Sequence, residues 1–276
     1  LLGGWGGLKA LYTAPEFQRD DYRGIVRAII ADADPNPAVI LNGAGQREVF
    51  EYNTMRAGVN FTTYPLPVGL TPDRDATIQA VREILTRHRR VYGVFWGTDE
   101  RDPQRIVENT LAAEAYQVDD RWFGSVRLVR YIAPESEMAM QPVEADFTFD
   151  GGGMTLHGVG LNATELTAGD ILTVALDWST DAPIPFYGVV TVQLIAPDGT
   201  LIAQHDNQPV GGTAPTVTWT PAQRYLDRHA LMIPDNLPAA QYKLIVAVYT
   251  PDNNAARLPV NGSDALTLAE ISVSAK

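Results

Sequence analysis

Two loops in the first half of the chain carry residue types that ligand chemistry uses. Asn42-Gly43-Ala44-Gly45-Gln46 follows a short apolar run, Ala38 to Leu41, and opens a segment of helical character. Free N–H groups at such a helix start can hold an anion, and in an open parallel sheet ligands bind at that carboxyl edge. Asn42, Gly43, Gly45 and Gln46 are therefore candidate ligand-binding residues. The third glycine and the distant acid of a dinucleotide fingerprint are missing, and a tight turn explains the same residues. Gly97-Thr98-Asp99-Glu100-Arg101-Asp102 follows a second buried run, Val91 to Trp96. Asp99, Glu100 and Asp102 could pair as acid and base or hold a cation. Asp102 has a sufficient role as a helix N-cap.

The second half offers a different chemistry. Ala203-Gln204-His205-Asp206, Trp219, Asp227 and Tyr249 combine aromatic rings with amide and carboxyl groups. Sugar-binding faces use that mixture: rings stack on pyranose C–H groups while polar groups bond the hydroxyls. Gln204, Asp206, Trp219 and Tyr249 are the carbohydrate-binding candidates. Trp178 falls in phase with Leu172, Val174 and Leu176 and reads as core. Trp219 and Tyr249 fit either role.

Other chemistries are excluded or unsupported. The chain has no cysteine, which removes disulfides, thiolate nucleophiles and zinc–thiolate sites. Its four histidines, His88, His157, His205 and His229, are not paired at metal-ligand spacing, and no metal site or cofactor is expected. A net charge of −12 repels phosphate backbones and anionic membranes, so nucleic acid is not an expected partner. No serine-hydrolase elbow, P-loop or helical His-Glu-x-x-His is present, and no catalytic residue is assigned.

These residues need elements to hold them. Tyr22, Ile25, Val26, Ile29 and Ile30 recur at helical spacing after Asp20 and Asp21, and Ile78, Val81, Leu85 and His88 share a second helical face. Short strands between the helices, the last over Ser125 to Ile132, predict a small, mostly parallel, Rossmann-like α/β domain over residues 1–132. The short loop at 119–124 leaves an antiparallel last strand open. Residues 133–145 lack a period and read as a linker. From 146 to 276, Leu172–Trp178, Val190–Leu194, Tyr242–Val248 and Ala269–Val273 alternate between polar turns. That pattern predicts an immunoglobulin-like antiparallel β-sandwich, with a closed barrel as the alternative.

Several segments resemble one family. Tyr12-Thr13-Ala14-Pro15, Arg19-Asp20-Asp21-Tyr22-Arg23-Gly24, Gln46 to Phe50, Tyr64 to Pro67, His88 to Tyr92 and Trp122-Phe123-Gly124 are similar to the region after the last membrane helix of large bacterial GT-C type glycosyltransferases. Those enzymes are in turn similar to dolichyl-phosphate-mannose-protein mannosyltransferases. Leu176-Asp177-Trp178, Asp198 to Asp206, Pro215 to Trp219, Asp227, Ile233-Pro234 and Ala256 to Val260 resemble the module that often ends such proteins. The resemblance implies a polyprenyl-phosphate sugar donor and a catalytic carboxylate in an early loop outside this sequence. The chain would then be a non-catalytic piece at the extracytoplasmic face, tethered through membrane helices of the same polypeptide, with glycan as a further partner. Two rivals are a free-standing carbohydrate-binding or adhesion protein, and a soluble enzyme with a nucleotide or phosphate site in the α/β domain. Oligomeric state is not legible.

Overall fold

The computed structural model describes residues 20–276 apart from 33, 44, 70, 136–137 and 253. The motif Tyr12 to Pro15, Arg19 and Ala44 lie outside the described residues. Strand outweighs helix about two to one. The chain divides into two compact units. One holds residues up to Ala115 together with Asp119–Ala133; the other holds Tyr116–Val118 and Pro134–Lys276.

The first unit begins with α1 (Tyr22–Ala31), capped by the Asp21 carboxylate, which accepts from Gly24 N at 2.8 Å. Tyr22, Ile25, Val26 and Ile29 are buried at helical spacing, whereas Ile30 is exposed. Then follow β1 (Ala38–Leu41), α2 (Gln46–Ala57), β2 (Thr62–Pro65), α3 (Arg74–Arg87) and β3 (Arg90–Phe95). A short helix α4 (Thr98–Arg101), α5 (Ile106–Glu114), β4 (Tyr116–Phe123) and β5 (Val126–Ile132) complete the series. Gly58 ends α2 at φ 70, where its N–H reaches the carbonyls of Met55 and Thr54; that left-handed position strains any residue with a Cβ.

The five strands form one sheet in the order β2-β1-β3-β5-β4. Its faces are read from strand alternation. Ala38, Ile40 and Val91 pack with Val81, Ile84, Val107 and Leu111 of α3 and α5. Val39, Leu41, Tyr92 and Val94 pack on the opposite face with Ile25, Val26, Ile29 and Phe50 of α1 and α2. The expected Rossmann-like, mostly parallel domain is not what forms. Only β2, β1 and β3 run parallel; β5 runs antiparallel to β3, the alternative left open for it, and most of the loop expected at 119–124 belongs to the strand Tyr116–Phe123. Polar Gln117, Asp119 and Asp120 mask β4 in the sequence, because an edge strand needs little apolar surface.

The second unit contains β6 (Met140–Phe149), β7 (Gly152–Leu161), β8 (Glu165–Thr167), β9 (Ile171–Thr180), β10 (Val189–Ile195), β11 (Leu201–Asn207), β12 (Tyr225–Met232), β13 (Ala240–Thr250), β14 (Ala256–Arg257) and β15 (Leu266–Ser274). A four-stranded sheet, β12-β9-β7-β6, faces a six-stranded one in which β11-β10-β13-β15-β8 lie in order and β14 pairs with β13. Trp178, Phe147, Leu176, Val192, Val246 and Ile271 belong to the shared core.

The immunoglobulin-like antiparallel sandwich is also corrected. The three-residue β8 runs parallel to β15. Along one side the sheets are joined: Phe147 bridges Val260, and Thr148 N donates to the Pro259 carbonyl at 3.0 Å. The result is a mixed-sheet half-barrel. Its first strand starts at Met140, inside the stretch 133–145 read as a linker. The inward residues there, Ala145 and Phe147, stand beyond a bulge between Pro142 and Ala145 that breaks the alternation. No described helix is long and apolar enough to cross a membrane.

Candidate functional site

The loops after β1 and β3 meet, as the sequence reading required, but they occupy one another. The Asn42 side-chain Oδ1 accepts from Trp96 N at 2.7 Å, and its Nδ2 donates to Thr98 Oγ1 at 3.1 Å. Gly43 N donates to Gln46 Oε1 at 2.6 Å, so that N–H is not left for an anion. Asn42 and Gln46 are buried, and Gly45 opens α2 at φ 79. Beside them lies a cleft of about 310 Å³ bounded by Leu41, Pro65, Val68 and Arg101. The geometry makes Asn42 a clip between two loops.

Asp99 and Glu100 open onto a different cleft, of about 400 Å³. Trp96 and Trp122 line it, 38% and 67% exposed. Among the described residues no other ring packs on either indole. Leaving on the order of 100–150 Å² of a tryptophan ring in water forgoes about 3 kcal/mol of burial. Trp96 Nε1 donates to Ser125 Oγ at 3.1 Å, and Ser125 Oγ donates to Asp20 at 2.6 Å, fixing the ring. Among the described residues Asp99 pairs only with Arg105, at 4.0 Å, whereas Arg105 also meets Glu108 at 3.6 Å. Arg127 forms a fork with Asp120 and binds Glu108; the bonds to Asp120 hold its guanidinium still more firmly protonated. Asp102, expected to cap the next helix directly, does so from four residues back: its buried carboxylate accepts from Ile106 N at 2.9 Å and Val107 N at 3.0 Å. This anchors the turn in which Arg105 sits at φ 50.

In the second unit three sugar-binding candidates converge and one does not. Gln204 stands opposite Gln193, Asp206 opposite Thr191, and Tyr249 opposite Arg257. All six are out of phase with the core residues Val190, Val192, Val246 and Val248, so they share the outer face of the six-stranded sheet. Gln193 Nε2 donates to Gln204 Oε1 at 3.3 Å, and Arg257 donates to Gln193 Oε1 at 3.1 Å. The Tyr249 hydroxyl donates to Asp206 at 3.3 Å; burial and then the Asp206 charge raise its pKa. The Thr191 hydroxyl beneath is buried without a hydrogen-bond partner. Arg257 also borders a cleft of about 470 Å³ with Phe149, Asp150 and Phe186.

Trp219 is instead 4% exposed and stacked on Tyr225, with centroids 4.3 Å apart and planes 8° apart. Its indole N–H donates to the Ala214 carbonyl at 2.8 Å. The exposed ring face that sugar stacking requires is absent there. Trp178 is fully buried, edge-on to Phe147.

Sequence reasoning missed a buried polar chain. Asp227 accepts from Val210 N at 2.8 Å and Arg228 N at 3.0 Å, and binds His229 Nε2 at 2.9 Å. His229 Nδ1 in turn faces His205 Nδ1 across 2.9 Å, so that one ring nitrogen donates to the other. Burial, followed by His229, lowers the His205 pKa to about 3. The two histidines are 24 residues apart, on strands of different sheets, and no local spacing announces that. Val210, β-branched at φ 57, is held in place by this carboxylate. Among the described residues no group of three or more histidines and carboxylates could hold a metal.

No protein-family model and no curated protein matches the chain. Among solved structures, the C-terminal domain of Wzt matches 51% of this chain and 81% of its own length, at 10% identity and a TM-score of 0.36. A CARDB domain from Pyrococcus furiosus, in complex with di-metal ions, matches 47% of this chain and 99% of its own, at 15% identity and a TM-score of 0.30. A calcium-binding mutant of Bacteroides uniformis β-glucuronidase 2 matches 53% of this chain and 16% of its own, at 10% identity and a TM-score of 0.28.

Proposed function

We propose that this chain is a non-catalytic, glycan-recognising portion of a membrane glycosyltransferase that uses a polyprenyl-phosphate sugar donor. The outer face of the six-stranded sheet meets the acceptor glycan. The observation that carries glycan recognition is the convergence of Gln204, Asp206 and Tyr249 with Gln193 and Arg257 on that face. The set supplies a carboxylate acceptor, two amides that both donate and accept, a guanidinium donor and a ring. The membrane-enzyme setting, with the chain at the extracytoplasmic face, is supported by the sequence resemblance. In that setting the sugar-transfer chemistry belongs to the membrane part, and this piece selects what is presented to it.

A glycan array probed with the purified chain tests the reading, with Tyr249→Ala and Arg257→Ala as controls. Binding that falls roughly tenfold or more in either variant supports it. Binding indifferent to both, or absent, overturns it.

A further inference from the structure

The cleft beside β3 belongs to the first unit and is assigned no role by the reading above. Its two exposed indoles lie at the carboxyl end of β3 and near the end of β4. Trp96 is fixed by its bond to Ser125. Trp122 presents the larger bare surface, 67% exposed. Around them stand polar groups with unspent capacity. The Asp99 carboxylate is almost wholly in water and, among the described residues, pairs only with Arg105, at 4.0 Å. Glu100 and the Thr98 hydroxyl line the same cleft.

Charge narrows the choice of ligand. Asp99, Glu100 and Glu108 face Arg105 and Arg127 across the cleft, and Arg127 is already engaged by Asp120 and Glu108. The cleft is therefore net negative and has one partly engaged cation, Arg105. A phosphate or uronate would meet repulsion. A cation would find only dispersed carboxylates, since among the described residues no three acids close on one point. An uncharged ring with C–H faces and a hydroxyl rim matches both the indoles and the acceptors. The cleft's size falls within the range of small-molecule sites.

We propose that this cleft is a binding site for an uncharged pyranose of a glycan chain, with Trp122 as the stacking platform, Trp96 as the fixed wall, and Asp99 and Glu100 as acceptors for sugar hydroxyls. It is separate from the outer sheet face and stands whether or not that face binds.

The test is titration of the whole chain with neutral hexaoses (gluco-, manno-, malto- and xylo-series) followed by tryptophan fluorescence, with inorganic phosphate and an oligouronate as charged counterparts. At least one neutral sugar is expected to bind. Trp122→Ala should weaken it roughly tenfold, and Trp122→Tyr should recover part of the loss. The weakening caused by Trp122→Ala should be of the same size in a Tyr249→Ala background as in the wild type, which separates this site from the sheet face. Because Trp122 is exposed, an unchanged thermal midpoint in Trp122→Ala confirms that the fold persists. Silence with every neutral sugar at about 10 mM, well above a 1 mM dissociation constant, overturns the proposal. So does preference for phosphate, or binding indifferent to Trp122.

Discussion

The two units distribute their tryptophan rings in opposite ways. The first exposes Trp96 and Trp122 and hides an ion network. In it Arg130, on β5, donates to Asp32 at 2.6 Å and to Asp119 at 3.1 Å, with only 5% of its side chain exposed. The Tyr92 hydroxyl donates to the same Asp32 carboxylate, and burial raises the Asp119 pKa against the opposing pull of Arg130. The second unit buries Trp178 and Trp219 and carries a polar ladder, Arg257–Gln193–Gln204, on the outer face of a sheet, with Gln193 itself buried. A tryptophan is thus no marker of a binding surface by itself. What decides is whether the ring packs into a core, and strand alternation sets that only for Trp178 and Trp122, since Trp96 and Trp219 lie outside the strands.

The sharpest way to break the contrast is Arg130→Ala. It leaves the Asp32 and Asp119 carboxylates without their shared cation in a buried setting, and is expected to cost about 3–5 kcal/mol in urea unfolding. A loss under about 1 kcal/mol would mean the network is solvated and the two units are alike. Next is the pair of tryptophans. Trp219→Ala removes a stacked core ring and should cost about 3–4 kcal/mol, whereas Trp122→Ala should change stability by less than about 0.5 kcal/mol. Equal losses would erase the distinction between buried and displayed rings.

The smallest effect concerns pH. His205 has a folded pKa near 3, against an unfolded value of about 6.5. The unfolded chain therefore binds more protons between those values. The contribution of His205 is complete above about pH 6.5 and is lost progressively as pH falls toward 3, on the order of 2 kcal/mol by pH 4.5. Replacing it in His205→Gln should flatten that part of the stability–pH curve. A curve parallel to the wild type would show that the Asp227–His229–His205 chain does not resist protonation.

Local pattern reached some of this architecture and not the rest. Ile25, Val26 and Ile29 announced α1, and the alternation of Leu172, Val174, Leu176 and Trp178 announced a core-facing strand; all seven are buried. Pattern did not reach pairing direction. Nothing within Val126–Ile132 says that it opposes β3, and nothing within Glu165–Thr167 says that it joins β15 in parallel. Those choices depend on contacts far away in sequence, and with them went the expected fold class. The site reading divides likewise. Gln204, Asp206 and Tyr249 lie on one face because residues two apart on a strand, and in register across strands, must. Gln193 and Arg257 complete the set but were invisible as single polar residues. Trp122 was masked by its polar strand, β4.

The treatment of the strand ends has a further consequence. β2 closes on Pro65, β6 carries Pro142 and a bulge, β8 is three residues long, and β4 is studded with Asp119, Asp120 and Arg121. Each device interrupts the row of free N–H and C=O groups along which an incoming chain would zip. The four edges that carry these devices are poor templates for augmentation by a peptide or for growth into fibrils, and recognition along them is left to side-chain surfaces.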